Sequence, residues 1–150
     1  MSLAGTSDPP SSSQEARKRK LVVLGSRAVG KSSVCHRYVE NAFAPLYYPT
    51  IASTFDKELT VHGVSYVLEI LDTAGQDEYS ILNSKHAIGI HGYLLVYSVD
   101  SRVSFEMIET IRDKILSYTG TETVPAVIVG QKCDLHIQRS VRSIHSRHEA

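Results

Sequence analysis

One eight-residue stretch near the start of the chain constrains the fold more than any other feature. Residues 25–32 read Gly-Ser-Arg-Ala-Val-Gly-Lys-Ser, which is the G-x-x-x-x-G-K-S pattern of a phosphate-binding loop. Such a loop requires a buried strand before it and a helix after it, and the apolar run 21–24 and the segment 33–41 are suited to these roles. The main-chain N–H groups of the loop and of the helix start are expected to hold a triphosphate.

Several side chains of this loop are expected to contact the nucleotide or its metal ion. Lys31 would reach the β and γ phosphates, and the Ser32 hydroxyl would bind Mg²⁺. Arg27 either lies over the nucleotide or is a solvent-exposed charge, and the sequence leaves both open. The predicted nucleotide-binding residues of the loop are Ser26, Arg27, Ala28, Val29, Gly30, Lys31, Ser32 and Ser33.

A second motif, Asp-Thr-Ala-Gly-Gln, begins at Asp72 and follows a predicted strand over residues 64–71. An aspartate at the carboxyl end of a parallel strand faces the crevice where ligands bind, so Asp72 is expected to hold a water of the Mg²⁺ shell. Gly75 would offer its N–H to the γ phosphate and absorb a large change of backbone angle. Gln76 would orient the attacking water.

The segment 43–50 contains two prolines and no helical period, so it is predicted to be a loop. Thr50 would fold back over the metal and complete its shell when the γ phosphate is present. Tyr47 would cover the ribose and Pro49 would lie against the nucleotide, whereas Tyr48 either joins them or packs where the loop meets a strand. The predicted catalytic residues are therefore Gln76, Lys31 and Thr50, and the predicted metal ligands are Ser32, Thr50 and Asp72.

A third motif, Gln-Lys-Cys-Asp at 131–134, follows a predicted buried strand over 125–130 and indicates recognition of a guanine base. The Asp134 carboxylate would accept from the ring N–H and the exocyclic amine of guanine, and the stem of Lys132 would lie along the base. Gln131 stands where an asparagine is expected, and its extra methylene displaces the amide. One imperfect polar contact costs about 1–3 kcal/mol, so guanine preference is expected to be weakened and not abolished.

With these motifs the chain resembles the Ras-type small GTPases, and within them the Rheb branch. The resemblance rests on Arg27 within the loop and on the runs 72–81 and 91–98, and the runs 47–50 and 81–86 are most similar to fungal members. It covers about residues 18–141. It implies a GTP/GDP switch with slow intrinsic hydrolysis and Mg²⁺ as cofactor, in which the contribution of Gln76 is reduced.

The resemblance also implies partners and a location. A tuberin-type activating protein would accelerate hydrolysis, and the GTP-bound form would act on the TOR kinase through the effector segment 47–55. Ala52 and Ser53 replace the Glu-Asn usual in Rheb, which bears on effector contact. Family members reach the cytosolic face of endomembranes or the plasma membrane through a prenylated C-terminal cysteine motif. This chain has no such motif, so it is expected to be cytoplasmic.

The domain organisation is expected to be one incomplete GTPase domain over residues 18–141, between a disordered leader (1–17) and an aberrant tail (142–150). The match fades at Val141, which suggests that the last strand and helix of the fold are missing. The strand ending at Gly130 would then become an edge of the sheet.

Composition and periodicity predict an α/β fold of the P-loop NTPase class, an open and mostly parallel sheet with helices on both faces. Two strands over 55–62 and 64–71 form an edge hairpin around Gly63, and a third lies at 93–99. A helix over 102–118 begins at Ser101 and ends at Gly120. The basic run 17–20 is predicted to be a solvated lead-in to the first strand. A net charge of zero gives no reason to expect nucleic acid as a partner, and two cysteines without a pairing pattern fit a reducing compartment.

Two other functions stay open. A shortened form could bind nucleotide weakly, without catalysis, and at most compete for effectors or regulators; Gln131 and the shortened end favour it. An ATP-using P-loop kinase would need an arginine-rich lid, and no such segment follows Tyr118.

Overall fold

The computed structural model describes residues 16–43, 49–77 and 87–141. In this part of the chain five strands and two helices follow one another. Their bounds are β1 (Arg17–Gly25), α1 (Lys31–Glu40), β2 (Ala52–Val61), β3 (Val64–Thr73), β4 (Gly92–Ser98), α2 (Arg102–Thr119) and β5 (Ala126–Gln131). Tyr47 and Tyr48, the predicted leader up to residue 15 and the tail from residue 142 lie outside the described residues.

The strands form one sheet in the order β2-β3-β1-β4-β5. β1 runs parallel to both β3 and β4, and β4 runs parallel to β5, whereas β2 is antiparallel to β3. The predicted edge hairpin is confirmed. Its two-residue turn is made by His62 (φ 49°) and Gly63 (φ 77°), and two left-handed residues are what the twist of a tight hairpin requires.

The two helices lie on opposite faces of the sheet, which confirms the predicted fold class. One core packs α2 against β1 and β4, and Leu24, Leu95 and Ile115 are among its most buried members. The other packs α1 against the opposite face through Val23, Cys35 and Val96. Adjacent residues of β1 therefore serve different cores, as the alternation of side chains along a strand demands.

The ends of α2 follow from the predicted capping residues. The hydroxyl of Ser101 accepts a hydrogen bond from the N–H of Ser104 (3.3 Å) at the start. At the end Gly120 is left-handed (φ 67°), and its N–H donates to the oxygen of Leu116 (2.9 Å). Ile108, Ile111 and Ile115 are buried on one face, as their spacing predicts.

The start of β1 corrects one expectation. The basic run 17–20 is part of the strand and pairs with β3 in register from Arg17 to Val23. Its charges are accommodated locally, because Lys20 forms an ion pair with Glu69 (3.0 Å) and Arg19 lies over the ring of Tyr66. Pairing with β3 therefore extends the strand through residues that remain largely solvated.

β5 is an edge of the sheet within the described residues, since it pairs with β4 and with no other described strand. Its Val127 and Ile128 side chains are 61% and 55% exposed. None of the described helices is both long and apolar enough to cross a membrane.

Candidate functional site

The site is built at the carboxyl ends of the parallel strands, where ligands bind in open α/β sheets. β1 ends at Gly25, β3 at Thr73 and β5 at Gln131, and all three ends lie at the same edge because the strands run in one direction. Only glycine fits at position 25, because a Cβ there would overlap the main-chain oxygen of Val96. The first residue of the phosphate loop therefore lies in close contact with the backbone of β4.

The loop between β1 and α1 has the backbone of a phosphate cradle. Ala28 (φ 57°) and Gly30 (φ 100°) are left-handed, and Val29 between them is buried at 2% exposure and holds the loop to the core. Alternating hands of backbone create a concavity lined by N–H groups. Of the other predicted loop residues, Ser26 and Ser33 are half-buried and Arg27 is exposed.

Lys31 lies under this loop, only 6% exposed. Its ammonium donates to the main-chain oxygens of Gly25 (3.2 Å) and Ser26 (2.8 Å). Burial lowers the pKa of Lys31 from 10.5 to about 8, although the neighbouring Asp72 carboxylate opposes this shift. A buried cation with a depressed pKa gains from a nearby anion, so Lys31 is poised for phosphate.

Asp72 is the acidic counterpart of Lys31 and is 1% exposed. Burial raises the pKa of Asp72 above 3.8, while a hydrogen bond from Ser32 and the charge of Lys31 oppose that rise. Its Oδ1 atom has no hydrogen-bond partner among the described residues. A buried carboxylate oxygen without a partner is costly, and a cation or its water shell would satisfy it.

The three predicted metal residues come together. The Ser32 hydroxyl lies 2.7 Å from the Thr50 hydroxyl, and Ser32 lies close enough to Asp72 to lower the pKa of that carboxyl. Mg²⁺ in proteins takes one or two carboxylates together with hydroxyls, waters and substrate phosphates, so this donor set fits it. No group of three or more His, Cys, Asp and Glu side chains that could hold a metal occurs in the described ranges, which leaves this mixed set as the candidate. Pro49 precedes Thr50 and is exposed.

The segment after Asp72 lies in contact with the phosphate loop. The N–H of Gln76 donates to the oxygen of Gly25 (2.9 Å), and Ser26 and Gln76 form an isolated parallel bridge. A Cβ at Gly75 would lie 2.5 Å from the Cα of Arg27, so only glycine allows this approach. The Gln76 amide at present donates to the oxygen of Ala74 (3.2 Å) and must turn to reach a water over the loop.

The base-recognition motif lies at the end of β5. The carbon and oxygen atoms of the Gln131 side chain lie 3.4–3.7 Å from where a Cβ of Gly30 would be, which puts this side chain against the phosphate loop. Lys132 is left-handed (φ 60°), and Asp134 is exposed. The N–H groups of Ser140 and Val141 both donate to the oxygen of Val99, so the chain returns to the end of β4 after the motif.

The comparison with known proteins agrees with this geometry. The family model of the Ras family matches residues 20–150, which is most of the chain. The chain belongs to the Ras family. Its Rheb-type character is shown by relatives in several organisms, and the resemblance drawn from the motifs is thereby confirmed.

Three of those relatives give the extent of the likeness. The GTP-binding protein rhb1 of Schizosaccharomyces pombe is 62% identical over 125 residues, which cover 83% of this chain and 68% of that protein. The small monomeric GTPase RhbA of Aspergillus fumigatus is 58% identical over 119 residues, 79% and 64% of the two chains. The human GTP-binding protein Rheb is 48% identical over 127 residues, 85% and 69% of the two chains. The match therefore spans about two thirds of each relative.

Three contacts of this Ras-family site have no counterpart in the motif analysis. The Thr73 hydroxyl, fully buried, donates to the oxygen of Val23 (2.7 Å) and locks the end of β3 to β1. Asp77 lies 4.0 Å from the Arg27 guanidinium, and its main-chain oxygen accepts from Lys114 of α2 (3.4 Å). The role of Thr73 could have been inferred from its position next to Asp72 at the end of β3, where a polar side chain can bond to the neighbouring strand. No local pattern points to Lys114.

Proposed function

We propose that this protein binds GTP and GDP and hydrolyses GTP to GDP as a small GTPase of the Rheb type. The observation that carries the proposal is the meeting of three features at one point of the sheet edge. They are the buried ammonium of Lys31, the unpartnered buried oxygen of Asp72 and the touching hydroxyls of Ser32 and Thr50. Together they provide positive charge for phosphates and oxygen donors for a divalent cation.

In this function the chain's own groups hold and orient the triphosphate. Lys31 would exchange its bonds to the oxygens of Gly25 and Ser26 for bonds to phosphate oxygens. Ser32, Thr50 and the shell around Asp72 would hold Mg²⁺. When bound, Mg²⁺ would neutralise charge on the phosphates. Phosphoryl transfer needs little beyond positioning and charge, and these residues supply both.

Gln76 is the proposed water-positioning residue, and slow intrinsic hydrolysis is proposed with it. Its main chain is held near the phosphate loop by the bond to Gly25, whereas its amide is turned to Ala74. The side chain must therefore rotate before it can orient a water. An amide that bonds to its own segment is not positioned to orient a water, which fits slow intrinsic hydrolysis.

The guanine base is proposed to bind over residues 131–134. The exposed carboxylate of Asp134 is available to accept from two N–H groups of guanine, and adenine lacks both donors in that arrangement. Lys132 would cover the base. Gln131 packs against Gly30, and this contact favours the second candidate function, a protein that binds nucleotide weakly and competes for effectors or regulators.

The switch role and its partners are proposed from the Rheb-type sequence. In the effector segment 47–55, the described part includes Ile51, which is 90% exposed. A single exposed apolar side chain is ordinary on a protein surface, so the proposed effector contact rests on the Rheb-type sequence. We propose the TOR kinase as effector, a tuberin-type protein as the activator of hydrolysis, and the cytoplasm as the place of action. The free thiols of Cys35 and Cys133 fit a reducing compartment.

The test is single-turnover hydrolysis by purified chain loaded with GTP in Mg²⁺ buffer, with GDP measured by chromatography. The proposal expects slow conversion of bound GTP to GDP, and a lower rate for Gln76→Leu. Gln138→Leu, the same change at an exposed glutamine that lies outside the three motifs and far along the chain from Gln76, should leave the rate unchanged. Bound GTP that is not converted above the buffer rate would refute the hydrolase, and failure to load GTP would favour the weak-binding alternative.

A further inference from the structure

The four residues after β3, Ala74 to Asp77, lie between the phosphate loop and α2. On the loop side, the N–H of Gln76 donates to Gly25 and the carboxylate of Asp77 lies 4.0 Å from Arg27. On the helix side, the ammonium of Lys114 donates to the main-chain oxygen of Asp77 at 3.4 Å. A lysine 37 residues away along the chain thus reaches the segment that carries Gln76.

The two ends of this segment are attached to fixed parts of the fold. At its start, Thr73 is fully buried and bonds to β1. At its end, Lys114 projects from a helix whose neighbouring Ile111 and Ile115 are 2% and 0% exposed in the core. A well-packed helix moves little, so a bond from Lys114 transmits the position of α2 to Asp77.

Asp77 is contacted through its side chain by Arg27 and through its main-chain oxygen by Lys114. The Arg27–Asp77 pair is at the limit of an ion pair, and its side chains are 77% and 52% exposed, so solvent screens it and ordering two long side chains offsets it. Lys114 is half-buried, and its ammonium donates to a main-chain oxygen at 3.4 Å, a long hydrogen bond that acts on the backbone and not on a mobile side chain.

We propose that Lys114 is a positioning residue for the hydrolysis reaction. It holds the Gly75–Gln76 backbone against the phosphate loop from the α2 side. The inference rests on the proposed function insofar as it concerns hydrolysis. Loss of Lys114 should loosen Gln76 and slow the reaction, while nucleotide affinity, which depends on the loop, Lys31 and the base motif, stays unchanged.

The first test is amide hydrogen exchange of the full chain without nucleotide. Lys114→Met keeps the length of the side chain and removes its charge, Lys114→Arg keeps the charge, and Arg112→Met is the matched control on the exposed face of the same helix. We expect the Gln76 amide to exchange about fivefold faster in Lys114→Met, near the wild-type rate in Lys114→Arg, and unchanged in Arg112→Met. The Leu95 amide in the core serves as the internal reference for global stability.

The result that overturns the proposal is an unchanged Gln76 rate in Lys114→Met, or an increase that Leu95 shares equally. The second test separates catalysis from binding: Lys114→Met should lower single-turnover hydrolysis about threefold, with the Kd for GTP within about twofold of wild type. A parallel loss of affinity, or an unchanged rate, contradicts the positioning role. If wild-type chain fails to bind GTP the proposed function fails, whereas the Gln76 exchange comparison still decides the role of Lys114.

Discussion

The hydroxyl oxygens of Ser32 and Thr50 lie 2.7 Å apart, although the residues are separated by 18 positions and belong to different segments. Ser32 ends the phosphate-loop motif and is the second residue of α1, and Thr50 precedes β2. The bond brings Thr50 to the start of α1. A cation bound to both oxygens would also bind the γ phosphate. The position of Thr50 would then depend on whether that phosphate is present.

Thr50→Ala should weaken GTP binding more than GDP binding, because Thr50 is proposed to join the metal shell only with the γ phosphate. Loss of one charge-assisted contact corresponds to about a tenfold rise in the Kd for GTP in Mg²⁺ buffer. Thr50→Ser keeps the hydroxyl and should stay near wild type. Equal effects of Thr50→Ala on GTP and GDP would argue against this role.

Gln131→Asn should raise the preference for GTP over ATP about tenfold. The shorter side chain should return its amide to the position from which it can bond well, and one well-made polar contact is worth about that factor. Asp134→Ala should abolish the preference. Competition of the four nucleoside triphosphates against a fluorescent GDP measures both. If Gln131→Asn leaves the selectivity where it was, the methylene is not what weakens base recognition.

The stability of the protein without nucleotide should rise with pH above about 8. The pKa of Lys31 is about 8 in the folded chain and 10.5 when exposed, so between these values the unfolded chain binds more protons and each added pH unit favours the fold. Above about pH 9 the raised pKa of Cys35 acts in the opposite direction, because the thiol of the unfolded chain loses its proton first. Urea unfolding in EDTA buffer at pH 7.5 and pH 9 therefore tests the Lys31 effect, and a rise of about 1 kcal/mol is expected.

The control for this effect is Lys31→Met, which has no ammonium to titrate. Its free energy of unfolding should lack the rise seen in the wild type over the same pH range. If both proteins show the same pH profile, groups other than Lys31 carry the effect.

The two thiols should react very differently with a disulfide reagent. Cys133 is exposed, whereas Cys35 is 2% exposed and burial raises its pKa to about 12. The thiolate is the reactive form, so one thiol per chain should react quickly in the native protein and the second only on unfolding. Cys133→Ser should remove the fast reaction. Two fast thiols in the native wild type would contradict the packing of α1 on the sheet.

The sequence predicts most of the site because backbone geometry there demands particular residue types. Gly25, Gly30 and Gly75 stand where a side chain would clash or the backbone is left-handed, and the ends of α2 are marked by Ser101 and Gly120. Such requirements are local, so they can be recognised in a short stretch of chain.

Long-range contacts could not be predicted in the same way. Lys114 meets Asp77 because α2 crosses the sheet beside the end of β3, and nothing in the residues near either one encodes that encounter. The prediction for the start of β1 was wrong for a related reason. The composition of residues 17–20 indicates a solvated segment, but pairing with β3 and the Lys20–Glu69 ion pair stabilise a strand there. Tertiary context decides both.

Binding of a fluorescent GDP to the purified full chain in Mg²⁺ buffer, with unlabelled GTP and ATP as competitors, tests whether the site takes a guanine nucleotide. We expect saturable binding that GTP displaces readily and ATP displaces poorly, and loss of this binding in Lys31→Met. A folded, soluble chain that binds no guanine nucleotide, or one from which ATP displaces the probe as well as GTP does, would contradict it.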